Sequence, residues 1–380
     1  MEELKDLREK IDAIDQQMVD LFKQRMEVSK EVAAYKQANG LPTLDAGREC
    51  ALLGKVGEQA GEELADYTQS VYRTILAAGR SYQNACSGVT SKVYETIRKA
   101  LDTTPDLFPQ RATVACQGVE GAYSQIACDS IFKAPTILYF NTFEHVFKAV
   151  ESGMCQYGVL PIENSSNGSV RAVYELLQAH KLSVVRSTRL CIRHELLALP
   201  GVKMDDITEI YSHEQAIGQC SKFLNGLNGV RVIPCDNTAV AAKMVAESGN
   251  RHAAAISSHP CAALYGLECV NDAIQDSDNN YTRFFCITKE PVIYAGANRI
   301  SLIIGCDNKP GALYEILSKL AALNINMTKL ESCPVSGRNF EFIFFLELEA
   351  SVQAPGVLPM LQEMERSCAS FNFLGSYAEV

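Results

Sequence analysis

The stretch Met1–Lys36, MEELKDLREKIDAIDQQMVDLFKQRMEVSKEVAAYK, carries apolar residues at Leu4, Leu7, Ile11, Ile14, Met18 and Leu21, then at Val28, Val32 and Tyr35. The steps alternate between three and four, and neither Pro nor Gly interrupts them. The spacing predicts one long helix whose apolar seam packs on other helices. Arg25 takes the seam place that follows Leu21. A guanidinium inside an apolar stripe is costly unless an anion meets it. Lys36 projects from nearly the same face about 16 Å further along. These cations meet either internal carboxylates or an anionic ligand.

Bulk composition narrows the classes. The 380 residues are 47% hydrophobic and 21% charged, ordinary for two or three globular domains. A formal charge of −10 without any basic run argues against nucleic acid as a partner. No apolar run reaches the length of a membrane span, so no membrane partner is expected. The polar opening lacks the apolar core of a signal peptide. The 14 cysteines form no Cys-x-x-Cys pair, which fits reduced, mostly buried thiols and a cytoplasmic location. Neither His194-Glu195 nor His213-Glu214 extends to His-Glu-x-x-His, and neither a metal nor any other cofactor is expected.

Asn39-Gly40 and Pro42 stop the first helix. A second helix is expected from Asp45 to about Gln59, carrying Arg48 and Glu49. A third runs from Glu62 to about Ala85, with Leu64, Tyr67, Val71, Ile75, Leu76 and Ala78 as its apolar positions. The long first helix has seam left over for a partner chain. Arg8 lies about 25 Å along that helix from Arg25, too far for one small molecule to touch both. Two such helices packed antiparallel in a dimer would bring Arg8 of one copy toward Arg25 of the other. Lys36 and Arg48 complete the cations, with Glu49 and Gln83 as polar members, and such a pocket suits a small dianion with a hydroxyl. The alternative is a dimerising coiled coil with solvated charges.

The segment Leu7-Arg8-Glu9-Lys10-Ile11, the Arg25 to Lys36 spacing and Asp45-x-x-Arg48-Glu49 resemble the all-helical chorismate mutase domain. The resemblance implies that Arg8, Arg25, Lys36 and Arg48 bind the carboxylates and ether oxygen of chorismate. It implies that Glu49 takes the ring hydroxyl and Gln83 the ether oxygen, with Lys36 and Gln83 as the catalytic pair and Asp45 and Gly79 beside the substrate. Gly79 stands where the family often has Ser. The reaction is a pericyclic rearrangement, in which the protein holds a compact conformer and stabilises charge on the ether oxygen.

Ser87 to Gln110 reads as a connector with one helix, Ser91 to Leu101. From Arg111 short β-runs alternate with helices, and a longer extended run covers Leu182 to Leu199. A second α/β half follows, so two lobes with a cleft are expected. Gly118 to Ser124, Glu163 to Ser169 and Asp236-Asn237-Thr238 are strand-to-helix junctions that offer N–H groups and hydroxyls to an anion. Each alone is ordinary N-capping. Asn280-Tyr281-Thr282-Arg283-Phe284 sets a hydroxyl beside a guanidinium at a strand start.

Gly121-Ala122-Tyr123-Ser124, Leu160-Pro161-Ile162-Glu163-Asn164-Ser165-Ser166-x-Gly168, Tyr211-Ser212-His213 and Thr282-Arg283-Phe284 resemble prephenate dehydratase. The resemblance implies a two-lobed α/β domain of periplasmic-binding-like form. In it Thr282 is the essential hydroxyl and Arg283 a substrate-binding cation, with Asn164, Ser165, Thr238 and Phe284 also at the substrate. A Thr hydroxyl is a poor acid, so hydrogen-bond donation or a relay is expected. Glu163 and His213 are the candidates for a general acid.

The last block alternates strand, helix, strand, strand, helix, strand, the order of an α+β ferredoxin-like sandwich. Asn308-Lys309-Pro310-Gly311-Ala312-Leu313 and Leu330-Glu331-Ser332 resemble an ACT domain. That resemblance implies phenylalanine binding at Gly311, Ala312, Leu313, Glu331 and Ser332. Cys333 stands where the family's Glu-Ser-Arg-Pro has Arg.

The expected organisation is a helical domain over 1–88, a linker over 89–110, a dehydratase domain over 111–290 and a regulatory domain over 298–380. Nearly the whole chain resembles the bifunctional chorismate mutase–prephenate dehydratase family. The resemblance implies conversion of chorismate through prephenate to phenylpyruvate, phenylalanine as allosteric inhibitor, and a homodimer or higher homo-oligomer. Two rivals stay open. One is a dehydratase whose N-terminal helices only dimerise; the other is a two-lobed ligand-binding regulator.

Overall fold

The computed structural model describes residues 2–86, 88, 91–334 and 342–380. The chain divides into two compact units, Met1–Tyr94 with Pro359–Ser367, and Glu95–Leu358 with Cys368–Val380.

In the first unit, α1 runs unbroken over Glu2–Ala38 and α2 over Ala46–Cys86. The backbone leaves helical geometry at Gly61, with φ 75° and ψ 165°, between the two helices expected at Asp45–Gln59 and Glu62–Ala85. Ala33, Val56, Leu76 and Gly79 are buried where the helices pack. Most of the α1 seam is not covered: Leu7 is 52%, Ile14 56% and Leu21 62% exposed. Pro359–Ser367 belongs to this unit, where the Ser81 hydroxyl donates to Glu363 and the Val93 N–H donates to Glu365 at 3.2 Å. Residues 87, 89 and 90, at the expected junction with the linker, lie outside the described residues. Helix α3, Lys92–Thr103, fills much of the stretch read as linker. It buries Val93, Ile97 and Ala100, a helical stripe.

The second unit takes in α3 from Glu95 onward, and its first lobe holds β1 (Thr113–Gln117), α4 (Tyr123–Ile131), β2 (Thr136–Phe140), α5 (Phe143–Glu151), β3 (Tyr157–Asn164), β4 (Gly168–Ser169), α6 (Arg171–Ala179) and β5 (Ser183–Cys191). The second lobe holds β6 (Glu195–Ala198), β7 (Glu209–Ser212), α7 (Glu214–Gln219), α8 (Ser221–Asn225), β8 (Arg231–Pro234), α9 (Thr238–Ser248), β9 (Ala253–Ser257), α10 (Pro260–Tyr265) and β10 (Glu268–Asn271). Its sheet order is β10-β6-β9-β7-β8. The chain then returns to the first lobe as β11, Tyr281–Thr288, between β5 and β3. The extended run expected over Leu182 to Leu199 is thus two strands in different sheets, broken at residues 192–194. The helix at Pro260 and the strand at Glu268 had no counterpart in the sequence reading.

The C-terminal segment consists of β12 (Arg299–Gly305), α11 (Ala312–Ala322), β13 (Asn326–Pro334), β14 (Phe342–Glu349), α12 (Val357–Ser367) and β15 (Ser370–Glu379). Residues 335–341 lie outside the described residues. The strand order β13-β14-β12-β15 is that of a ferredoxin-like sheet. It continues into the first lobe, because β15 pairs in parallel with β5 at Ala378–Arg186 and Glu379–Ser187. Gly375 permits this junction, since any Cβ there would collide with the Val184 carbonyl. One apolar core therefore includes Leu160, Val184 and Phe285 of the first lobe with Phe345, Leu374 and Tyr377 of the C-terminal segment.

Register decides which side chains share a site. In β11 and β3, Thr282 pairs with Asn164 and Arg283 with Glu163. Successive strand residues point to opposite faces. One pair therefore faces the cleft between the lobes and the other faces the C-terminal sheet.

Candidate active sites

In the helical unit, Arg25 projects from α1 against the backbone of α2, where a Cβ on Gly79 would stand 3.1 Å from Arg25 Nη1. Lys36 Nζ donates to the Thr43 carbonyl at 2.6 Å, and the Thr43 hydroxyl donates to Asn84 Oδ1 at 2.9 Å. That brings Lys36 to the turn of α2 that carries Gln83, whose Oε1 is buried without a hydrogen-bond partner among the described residues. Asp45 Oδ1 accepts from the Arg48 N–H at 3.0 Å and so caps α2. Arg48 itself is exposed. Glu49 forms an ion pair with Arg80. Within one chain Arg8 stays on α1 about 25 Å from Arg25, so one chain does not bring it to the cluster.

The second site is a cavity of about 460 Å³ between the two lobes. The first lobe contributes Tyr123, Asn164, Ser169, Thr282 and Phe284, and the second His213, Gln219, Asn237 and Thr238. Among the described residues that line it there is no Lys or Arg.

Its floor is ordered by a relay of amides. Asn164 Oδ1 accepts from the backbone N–H groups of Ser166 and Asn167, each at 3.0 Å, which fixes its Nδ2 as donor. Nδ2 donates to Thr282 Oγ1 at 2.9 Å and to Asn280 Oδ1 at 2.8 Å. Asn280 Nδ2 donates to Gln219 Oε1 at 2.9 Å. His194 Nε2, 2.8 Å from the same oxygen, must then carry the proton. Burial lowers the His194 pKa below its ordinary range, against the opposing bond to Gln219, so the ring is neutral near pH 7. At the far end of the relay, Thr282 accepts from Asn164 and keeps its own proton free for a ligand. Sequence reading did not single out His194 or Gln219. The signal for Gln219 is its position one turn after Gln215, on one face of the helix that opens at His213.

The other expected residues divide. Thr238 lines the cavity at the start of α9, where Asn237 Oδ1 caps the helix by accepting from the N–H groups of Ala239 and Val240. Phe284 lines it on the Thr282 face. Ser165 does not; its hydroxyl donates to the Asn279 carbonyl and accepts from the Tyr281 N–H, both at 2.9 Å, and so fastens the turn to β11. His213 caps α7, with Nδ1 accepting from the Gln215 N–H at 3.3 Å.

Arg283 departs from the expectation. It is 5% exposed and faces away from the cavity. Nη1 donates to Glu347 of β14 at 2.6 Å, Nη2 to the other oxygen of the same carboxylate, and Nε lies 2.7 Å from Glu163. Strand alternation is the reason: a residue beside Thr282 in β11 cannot share its face. Glu163 also lies on that side. Burial raises its pKa, but the hydrogen bond from Lys329 and the charge of Arg283 outweigh this and hold it below the usual carboxylate range. An ionised carboxylate is no general acid.

Lys329 of β13 also donates to Ser169 Oγ at 2.9 Å, and Ser169 donates to Glu331. The strand that carries the expected sensor residues thus touches the turn that lines the cleft. Gly311 caps α11, with Ala312 and Leu313 in its first turn, while Ser332 is exposed on β13.

The chain matches chorismate mutase type II over residues 7–84, prephenate dehydratase over 114–292 and the ACT domain over 300–364. It is 30% identical over 379 residues to the bifunctional chorismate mutase/prephenate dehydratase of Escherichia coli K12, covering 98% of this chain and 95% of that one. Arogenate dehydratase/prephenate dehydratase 2 of Arabidopsis thaliana is 38% identical over 70% of this chain and 73% of its own length. The crystal structure of prephenate dehydratase from Arthrobacter aurescens with L-Phe superposes with a TM-score of 0.65 at 26% identity, over 70% of this chain and 90% of that one. A structure described as the quorum quenching acylase GqqA has the same TM-score at 31% identity, over 70% of this chain and 98% of that one. The full-length match spans both catalytic segments and the C-terminal one in the same order, and the chain belongs to the bifunctional chorismate mutase/prephenate dehydratase family.

Proposed function

We propose that the helical unit rearranges chorismate to prephenate and that the two-lobed cleft converts prephenate to phenylpyruvate, under inhibition by phenylalanine. The observation that carries the reading of the cleft is the Asn164–Thr282 hydrogen bond, which leaves the threonine proton for a leaving group. As carbon dioxide departs, the electrons of its bond enter the ring, the C4–oxygen bond breaks, and the hydroxide, hydrogen-bonded by Thr282, takes a proton supplied by solvent and leaves as water. A described lining without Lys or Arg suits this step. A cation paired with the departing carboxylate would stabilise the ground state more than a transition state in which that charge is vanishing. Arg283 outside the cavity is consistent with that chemistry.

The Lys329–Glu163 and Ser169–Glu331 contacts support the regulatory reading, because an amino acid held near Glu331 would be felt at the cleft turn. Pure protein incubated with chorismate tests the whole scheme. Prephenate should appear and then phenylpyruvate, with phenylalanine slowing the second product. If chorismate is not consumed, the mutase reading is lost; if added prephenate persists, the dehydratase reading is.

The exposed α1 stripe supports a second copy packed antiparallel on α1, which would bring Arg8 of that copy to Arg25. Ile14→Glu sets a charge in the stripe. It should abolish that helix pairing in sedimentation and lower the mutase rate about 10- to 100-fold, the scale of a lost charged hydrogen bond. Dehydration of added prephenate should persist. A variant that loses the pairing but keeps the mutase rate overturns the shared site.

A further inference from the structure

We propose that Arg80 is a positioning residue of the mutase site and acts through Glu49. The inference rests on the reading of Glu49 as the group that takes the ring hydroxyl of chorismate. Glu49 and Arg80 stand 31 residues apart in α2. A straight helix would separate them by about 46 Å. The break at Gly61 turns the second half of α2 back along the first, so that the two side chains meet, both about three-quarters buried.

The contact runs from Arg80 Nη1 to Glu49 Oε2 and engages one carboxylate oxygen, so Oε1 can receive a hydroxyl. It also addresses a problem of charge. On that reading Glu49 shares the site with Arg25, Lys36 and Arg48, the cations expected to hold a dianion. A carboxylate among them without its own partner would fold onto the nearest and compete with the substrate for it. Arg80 supplies that partner and leaves the other three for the ligand. The preceding residue serves the same arrangement, since Gly79 lets Arg25 lie against α2 where a Cβ would crowd Nη1 at 3.1 Å. Two consecutive residues thus set two functional groups, Arg25 through the missing side chain and Glu49 through the guanidinium.

The test is a double-mutant cycle on the full chain, with mutase rates measured on chorismate. Arg80→Gln should lower kcat/KM about tenfold, most of it in KM, and Arg80→Lys should recover to within about threefold. In a Glu49→Gln background, Arg80→Gln should add less than about a twofold change, because the group it positions is already gone. Dehydration of added prephenate, carried out in the other unit, should be unchanged in every variant and reports that that unit is folded, while an unchanged helical circular-dichroism signal reports the same of the helical unit. An equal tenfold loss in the Glu49→Gln background overturns the proposal and makes Arg80 a direct substrate contact. Wild-type behaviour of Arg80→Gln beside an impaired Glu49→Gln removes Arg80 alone. Wild-type behaviour of Glu49→Gln removes the reading of Glu49 and the role of Arg80 with it.

Discussion

Arg283→Met should destabilise the second unit by about 3–5 kcal/mol, the scale for removing one partner of a buried ion pair. Glu347 is 1% exposed, and its carboxylate accepts two bonds from the Arg283 guanidinium. Removing the cation leaves a charge buried with no water to solvate it. The variant should unfold at a clearly lower urea concentration. Arg283→Met combined with Glu347→Leu should recover most of the loss, because replacing both ions with apolar groups of similar volume is often near neutral. A substrate-gripping arginine behaves differently: the variant would keep its unfolding midpoint and lose affinity for prephenate. That second pattern would return Arg283 to the cleft.

Arg283 also marks where the sequence stops being legible. Composition and period gave the helical unit, the alternation of β-runs and helices, and the order of the C-terminal strands, because each is a local pattern. The break at Gly61 falls between two helices that the apolar spacing had already separated. What failed depends on tertiary placement. Thr282 and Arg283 look like one functional pair in a string of letters, yet strand geometry sends them to opposite faces, and the partner of Arg283 lies 64 residues on. The continuous extended run at Leu182 to Leu199 gave no sign that the chain changes sheets at residues 192–194. The helix Pro260–Tyr265 is six residues long, too short for a helical period to declare itself. Glu49 and Arg80 meet only because the helix folds back, and no spacing rule connects residues 31 apart.

Thr282→Ala should lower the turnover of prephenate about 10³-fold, within the range assigned to a positioned proton donor, while the rearrangement of chorismate continues. The size follows from the relay beneath the residue. Backbone N–H groups of Ser166 and Asn167 lock the Asn164 amide, so its Nδ2 must donate to Thr282 Oγ1 and the threonine proton must point elsewhere. A fixed donor of this kind stabilises charge on a departing oxygen without reorganising at the moment of reaction. Thr282→Ser keeps the hydroxyl and the bond from Asn164 and should stay within about tenfold of the parent. Asn164→Ala removes the orientation but not the hydroxyl, and should lie between the two. Thr282→Val separates the hydroxyl from the space it fills, since it conserves the branched shape and should fall with the alanine variant. If valine sustains the reaction, the hydroxyl is not the group that assists departure. The donor must then be sought among the other cavity groups, of which the Gln219 amide, held by Asn280 and His194, is already oriented with its nitrogen free to donate.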